Sequence, residues 1–210
     1  MGKSTAAAML ETMKIPTHDS DVAAHHFLHN DEQTRVALAA QFPYFEYSEI
    51  YGKKNKNGIR PFDRKKLGKL VFEKPEEREK LEKILHPQVQ KAQNEFIRKH
   101  RNMGADIVAL DIPLLFETGA DQRVDYTITI SAPAFIQKTR VLSRPNMNEE
   151  KFDNILKTQM SDAEKCARAD FVVPSGLGKA HMMKELKKII VDLRNPDDNE
   201  EEMELEGRHE

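Results

Sequence analysis

Short apolar or β-branched runs alternate with helix-like stretches through the second half of the chain. Three of these runs have the composition of buried strands, namely DIVALDIPLLF, DYTITIS and DFVVP. The helix-like stretches occupy residues 133–144, 148–168 and 179–194. Strands that are separated by helices favour a parallel sheet covered by helices on both faces. The sequence therefore predicts an α/β fold.

The first half of the chain is predominantly helical. We expect a helix at residues 4–13 and further helices in DVAAHHFLHN, DEQTRVALAAQF, DRKKLGKLVF and the long stretch that begins at Pro75. Pro87 should break or kink that last helix near His86, because proline lacks an N–H group and its ring collides with the preceding turn. Residues 43–62 are expected to form a loop.

Composition narrows the class of protein. No apolar run of the 210 residues approaches the ~20 that span a bilayer, and residues 1–14 lack the features of a secretory signal. Cys166 is the only cysteine, so no intramolecular disulfide is possible and a cytoplasmic location is expected. Residues 195–210 contain eight acidic residues and one arginine, and we interpret them as a disordered tail.

The chain opens with the tetrapeptide GKST, formed by Gly2, Lys3, Ser4 and Thr5. This is the second half of the phosphate-binding pattern G-x-x-x-x-G-K-[ST]. In a complete loop, backbone N–H groups cradle the phosphates, the lysine neutralises their charge and the next hydroxyl binds Mg²⁺. Four common residues also recur by chance, so an ordinary exposed N-terminus is the alternative.

Acidic residues follow two of the predicted strands. Asp19 and Asp21 leave the strand in KIPTHDSD with i, i+2 spacing, which suits one carboxylate near Mg²⁺ and one beside an acceptor hydroxyl. The alternative is that Asp21 merely caps a helix starting at Val22. Asp111 ends the apolar run in DIVALDIPLLF, where open α/β sheets bind ligands, and could hold Mg²⁺ through water or orient a substrate.

A third candidate group lies in QKTRVLSR. On a helix, Gln137, Arg140 and Arg144 share one face. Two arginines one turn apart are suited to phosphoryl oxygens, which guanidinium groups bind in a bidentate manner. A solvated face is the alternative.

Seven segments in this order and spacing resemble the dephospho-CoA kinase family, and the resemblance covers about residues 2–176. They are GKST, HDSDVAAHHF, FDRKKLGKLVF, LEKILHPQV, DIPLLFETG, QKTRVLSR and ILKTQMSDAEKCARADFVV. The resemblance implies ATP-dependent phosphorylation of the ribose 3′-hydroxyl of dephospho-CoA. It also implies one domain at residues 1–194 with a P-loop-type three-layer sandwich around a parallel sheet, a helical CoA-binding region at about 30–100 and a lid at about 137–168.

The resemblance also assigns roles on the phosphate side. It implies that Gly2, Lys3, Ser4 and Thr5 hold the phosphates of ATP, with Ser4 as the Mg²⁺ ligand. It implies that Arg140 and Arg144 belong to a lid that closes on the phosphates.

On the acceptor side, the resemblance makes Asp21 the base for the acceptor hydroxyl, with Asp19 supporting it. Arg64, His86 and Asp111 would face the acceptor. The loop after ADFVV would border the adenine, and there this chain has Pro174–Ser175 where the family often has asparagine. The adenine contacts are therefore left open.

The family pattern also has roughly a dozen residues ahead of GKST, comprising a first strand and the G-x-x-x half of the loop. A chain beginning at Met1 is therefore expected to fold less stably and to bind ATP poorly. A start site upstream of Met1 and a truncated product are both open, and the intact remainder of the pattern favours the first.

Two other functions stay open: another P-loop kinase acting on a nucleoside or nucleotide, and a non-catalytic remnant that binds CoA or a nucleotide. The LHP and DIPLLFE segments argue against the former, and the missing half-loop is the support for the latter. The expected cofactors are ATP and Mg²⁺, and the expected partner is dephospho-CoA. We expect neither nucleic-acid nor membrane binding, and a monomer or weak oligomer.

Overall fold

The computed structural model describes residues 2–56, 58–145 and 147–195. The predicted acidic tail, apart from Asn195, lies outside the described residues. The chain divides into two compact units. Unit 1 comprises Met1–Thr17 and Ala105–Glu210, and unit 2 comprises His18–Gly104.

Helices make up most of the described regular structure, and short strands lie between groups of them. In chain order they are α1 (Lys3–Thr12), β1 (Thr17–Asp19), α2 (Ser20–Asn30), α3 (Glu32–Gln41), a 3₁₀ turn (Ser48–Ile50), α4 (Arg64–Glu73), α5 (Pro75–Asn102), β2 (Ala109–Asp111), a second 3₁₀ turn (Ala120–Arg123), β3 (Ile128–Ser131), α6 (Ala134–Leu142), α7 (Glu149–Thr158), α8 (Asp162–Arg168), β4 (Phe171–Pro174) and α9 (Lys179–Arg194).

Unit 1 is built around short strands with helices packed against them. Strands β3 and β4 are parallel, with Ile128 opposite Phe171 and Ser131 opposite Pro174. At the start of β2, the Ala109 N–H donates to the carbonyl of Pro16 at 2.8 Å. The α/β class with parallel strands is therefore confirmed.

The core of unit 1 is apolar because α1, α9 and β4 each bury one hydrophobic face. Val173 of β4 and Leu186 of α9 are almost fully buried. The remaining members of this buried cluster are Ala6, Met9, Leu10, Ile15, Met182, Ile189 and Ile190.

Unit 2 is helical, and its core includes part of the predicted loop. Leu38, Phe42, Ile50 and Leu67 are among its most buried side chains. The Tyr51 hydroxyl donates to the carbonyl of Phe42 at 2.5 Å. Residues 43–62 thus lack long regular elements, as predicted, yet aromatic and aliphatic side chains anchor them to the helices.

The predicted helix boundaries need three corrections. Helix α5 runs from Pro75 to Asn102 through Pro87, so the proline does not break the helix. Helix α6 ends at Leu142 rather than 144, since Pro145 disfavours the α conformation at Arg144. Residues 148–168 form two helices, because Ser161 starts α8 with a capping box.

None of the described helices is both long and apolar enough to cross a membrane.

Candidate active site

Gly2 caps the first helix of unit 1 in a conformation that suits glycine. Its φ of 109° is in the left-handed region, and a Cβ there would lie 3.1 Å from the Ser175 Cβ and 3.2 Å from Ile130 Cγ2. The next turn contains no acidic residue. Because the first N–H groups of a helix lack intrahelical acceptors, this end of α1 has the polarity that attracts phosphate.

Lys3 and Asp111 form an ion pair within unit 1. The Lys3 ammonium donates to Oδ1 of Asp111, a carboxylate buried at the end of β2, while the lysine side chain stays 40% exposed. Two residues that are 108 positions apart in sequence are thus brought together at the start of α1. Ser4 is exposed and Thr5 half-buried in the same first turn.

Arg140 is held by a neutral residue. Its Nη1 donates to Ser175 Oγ at 3.0 Å and its Nη2 to the Ser175 carbonyl at 2.9 Å. Within the described part of the chain no carboxylate pairs with Arg140, whereas Arg168 pairs with Asp121 at 2.8 Å and Arg194 with Asp106 at 2.6 Å. The half-buried Arg140 therefore keeps a positive charge that an anionic ligand could neutralise.

The expected helix face with Gln137, Arg140 and Arg144 is not formed. Arg144 lies beyond the end of α6 and is exposed, because Pro145 follows it. Gln137 Nε2 donates to the carbonyl of Ala132 at 2.7 Å and so secures the start of the helix. Of these three residues, only Arg140 is held by Ser175, which lies beside Gly2.

In unit 2, Asp19 and Asp21 differ in their surroundings. Asp19 Oδ1 accepts the Val22 N–H at 2.9 Å and caps α2, which begins at Ser20. The alternative that Asp21 caps this helix is therefore wrong, because the helix begins earlier than expected. Asp21 lies exposed in the first turn, next to the positive end of the helix.

Arg64 and His86 also lie in unit 2 and are exposed. Arg64 is the first residue of α4, after the Asp63 cap, and His86 precedes Pro87 within α5. Neither side chain has a hydrogen bond or ion pair to any described residue. Their predicted contact with an acceptor stays a prediction.

Two inward-facing polar residues of unit 2 were missed by sequence reasoning, one of them buried and the other half-buried. Gln93 Nε2 donates to the Ser20 hydroxyl at 2.9 Å, and both side chains are buried where α5 packs on α2. Gln93 is four residues after Val89 and three before Phe96, so the helical period indicated its inward position. A glutamine gives no further sign of its function.

His18 is a second such residue, at the start of unit 2. Its ring packs edge-on against Phe96 at 5.3 Å, and its Nδ1 is buried with no hydrogen-bond partner among the described residues. Burial lowers the pKa of His18, although the neighbouring Asp19 charge opposes the shift.

Three features of this α/β fold are typical of the P-loop kinase class: glycine and lysine at the start of a helix, an acid at a strand end and, among the described residues, an arginine without a carboxylate partner. The dephospho-CoA kinase (CoaE) family model matches residues 1–178. The chain therefore belongs to the dephospho-CoA kinase family, as predicted.

Individual relatives agree with the family model. The chain is 42% identical over 193 residues to the dephospho-CoA kinase of Agrobacterium fabrum, covering 92% of this chain and 93% of that protein. It is 40% identical over 193 residues to the dephospho-CoA kinase of Brucella melitensis, covering 92% and 90%. The crystal structure of TT1252 from Thermus thermophilus matches with a TM-score of 0.72 at 29% identity, covering 90% of each chain.

Proposed function

We propose that this chain transfers the γ-phosphoryl group of ATP to the ribose 3′-hydroxyl of dephospho-CoA, producing coenzyme A and ADP. The observation that carries the proposal is the family match over residues 1–178. The contacts of Lys3 and Arg140 in unit 1 supply chemistry suited to this reaction. A cytoplasmic site of action belongs to the same proposal.

Lys3, with Gly2 and Thr5, binds the phosphate groups in this proposal. The first-turn N–H groups of α1 donate to phosphate oxygens, and Gly2 lets the backbone approach them without a side chain. The Lys3 ammonium has three N–H donors. It can therefore contact a phosphate while it keeps its bond to Asp111.

Ser4 is the proposed protein ligand for Mg²⁺. The described residues contain no group of three or more His, Cys, Asp or Glu that could hold a metal ion alone. A single exposed hydroxyl fits an ion that arrives with ATP, because protein-bound Mg²⁺ keeps most of its coordination to phosphates and water. When bound, the ion neutralises charge on the β- and γ-phosphate oxygens.

Asp21 is the proposed base. It accepts the proton of the 3′-hydroxyl as that oxygen bonds to the γ-phosphorus, and the bond from this phosphorus to the bridging oxygen breaks as ADP leaves. Asp19 supports this role by capping the helix that carries Asp21. Arg64 and His86 contact the acceptor, together with Asp111.

Arg140 and Arg144 are proposed as the lid residues. Arg140 would stabilise the charge that develops on the transferred phosphoryl group. The exposed Arg144 would reach the phosphates only when the lid closes, which also excludes water as a competing acceptor.

The test is turnover of defined acceptors by the full chain with Mg·ATP. We expect dephospho-CoA to be converted to coenzyme A, identified by mass spectrometry, with one ADP formed for each product. An analogue that lacks only the ribose 3′-hydroxyl is the matched control and should give no product.

Two other results would replace this proposal. Faster phosphorylation of AMP or a nucleoside would indicate another P-loop kinase. Tight binding of dephospho-CoA by calorimetry without turnover would indicate a non-catalytic binding protein.

A further inference from the structure

Ser175 joins three elements of unit 1 at one point. It follows β4, it is almost fully buried, and its backbone N–H donates to the carbonyl of Ser131 at 2.7 Å. Its hydroxyl donates to the same carbonyl at 3.0 Å. Since a hydroxyl has one proton, this bond turns the oxygen lone pairs of Ser175 toward Arg140.

Arg140 accordingly contacts Ser175 twice. The Nη1 donor reaches the hydroxyl oxygen and the Nη2 donor reaches the carbonyl oxygen, at 3.0 and 2.9 Å. Two bonds from one planar guanidinium fix its orientation as well as its position. Ser175 thus holds the Arg140 guanidinium in one orientation.

The loop that carries Ser175 is tightly packed on both sides. A Cβ at Gly2 would approach the Ser175 Cβ to 3.1 Å, so Ser175 lies directly against the cap of α1. A Cβ at Gly176 would approach Pro133 Cδ to 3.1 Å and Ile136 Cδ1 to 3.2 Å. The loop is therefore held between the start of α1 and the start of α6, with little freedom to shift.

A neutral partner has a consequence that an acidic one would not have. A carboxylate at this position would pair with the guanidinium and compete with a phosphate for it. Serine instead orients Arg140, and among the described residues no carboxylate compensates its charge.

We propose that Ser175 is a positioning residue that acts through Arg140 and orients its guanidinium for the phosphates of ATP. This inference rests on the proposed function for its catalytic consequence. The contact between the two residues carries it independently for ATP binding.

A double-mutant cycle of Ser175→Ala and Arg140→Met tests the proposal in the full chain. We measure ATP affinity by calorimetry, and kcat and KM with dephospho-CoA. The serine substitution alone should weaken ATP binding about fivefold and lower kcat about tenfold, with KM for dephospho-CoA within about twofold. In the Arg140→Met background it should add less than about twofold, because its target is gone.

Two further variants separate orientation from structure. Ser143→Ala is the matched control, since the Ser143 hydroxyl donates to the backbone carbonyl of Arg140 at 3.0 Å and not to its guanidinium. ATP affinity and kcat should stay within about twofold of the original. Ser175→Cys keeps the side-chain shape with a weaker acceptor, and should fall between the original and Ser175→Ala. It also preserves the test if the alanine variant does not fold.

Equal effects of Ser175→Ala in both backgrounds would overturn the proposal and make Ser175 a structural residue of the strand end. Unchanged ATP affinity and kcat in the folded alanine variant would overturn it as well. If the original chain does not phosphorylate dephospho-CoA but the cycle in ATP affinity holds, the proposed function fails while the link between Ser175 and Arg140 stands.

Discussion

The candidate site residues of the two units differ in their contacts and exposure. In unit 1, the predicted site residues Lys3, Asp111 and Arg140 are tied to partners far away in sequence. In unit 2, the predicted residues Asp21 and Arg64 are exposed at helix starts. In unit 1, packing thus brings the polar side chains together. In unit 2, the candidate side chains are exposed on helices that are joined by buried polar groups.

Buried polar groups join the helices of unit 2 to one another. Ser20 and Gln93 join α2 to α5, and the Tyr47 hydroxyl donates at 2.9 Å to Glu77, which also pairs with Lys80 at 3.1 Å. Substitutions of the site residues in unit 1 should therefore alter ligand binding directly. In unit 2, substitutions of the exposed residues should alter turnover, and substitutions of the buried residues should alter the free energy of unfolding.

The largest effect is expected for Asp21→Asn in unit 2. Loss of a general base should lower kcat by about 10³-fold, while ATP affinity changes less than about twofold, because the phosphate-binding residues are untouched. Steady-state kinetics and calorimetry with ATP measure the two quantities. Glu32→Gln, an exposed acid in the first turn of α3, is the control and should leave both unchanged. An equal loss of ATP affinity and turnover would assign Asp21 a structural or metal-binding role.

Lys3→Ala should give the complementary result in unit 1. We expect ATP affinity and kcat/KM each to fall by about 10²-fold, since an ammonium that neutralises phosphate charge is removed. The buried Asp111 would lose its cation, so the free energy of unfolding should also fall by about 1–3 kcal/mol, as urea denaturation measures.

A second substitution separates these two losses. Lys3→Ala/Asp111→Asn should recover most of the stability and none of the ATP affinity, because the unpaired charge is gone but the phosphate ligand is still missing. Lys187→Ala, at an exposed position of α9, is the control. If the double variant regained ATP binding, Lys3 would serve only to neutralise Asp111.

The sequence predicted the elements and most of the candidate residues because these depend on local patterns. The apolar strands, the helix after Gly2 and the acids at strand ends follow from periodicity and capping. Contacts between distant segments do not. Packing brings Ser175 to Arg140 and Gln93 to Ser20. Nothing in the local sequence of Ser175 or Gln93 specifies those partners.

The position of Arg144 shows the same limit. The helical period placed it on one face with Arg140, but Pro145 ends the helix first. The spacing of the arginines fits a helix, but the backbone restriction that Pro145 imposes on Arg144 overrides this pattern. The family match identifies the class of protein and carries no information on this arrangement.

Gln93→Leu tests whether the buried polar pair supports unit 2. We expect the free energy of unfolding to fall by about 1–3 kcal/mol, because the buried Ser20 hydroxyl loses its donor. Gln90→Leu, at an exposed position of the same helix, should change it by less than about 0.5 kcal/mol. In the double variant Ser20→Ala/Gln93→Leu the loss should be smaller than the sum of the single losses. Additive losses would indicate that the two residues act separately.

The smallest effect concerns pH and His18. Because burial lowers the pKa of His18 in the folded state, the unfolded chain binds the proton more readily. The stability linked to His18 is therefore present above its usual pKa of about 6.5 and is lost as the pH falls through that value toward the lowered one. The half-buried ring limits this loss to about 1 kcal/mol or less.

Urea denaturation at pH 7 and pH 5 measures this effect. His18→Gln should reduce the dependence of stability on pH, whatever its effect on stability at pH 7, because the residue that titrates has been removed. His29→Gln, at an exposed position of α2, should leave the dependence unchanged. If His18→Gln left the dependence of stability on pH unchanged, the His18 imidazole would bind its proton equally well in the folded and unfolded states. Burial beside Phe96 would then not control its titration.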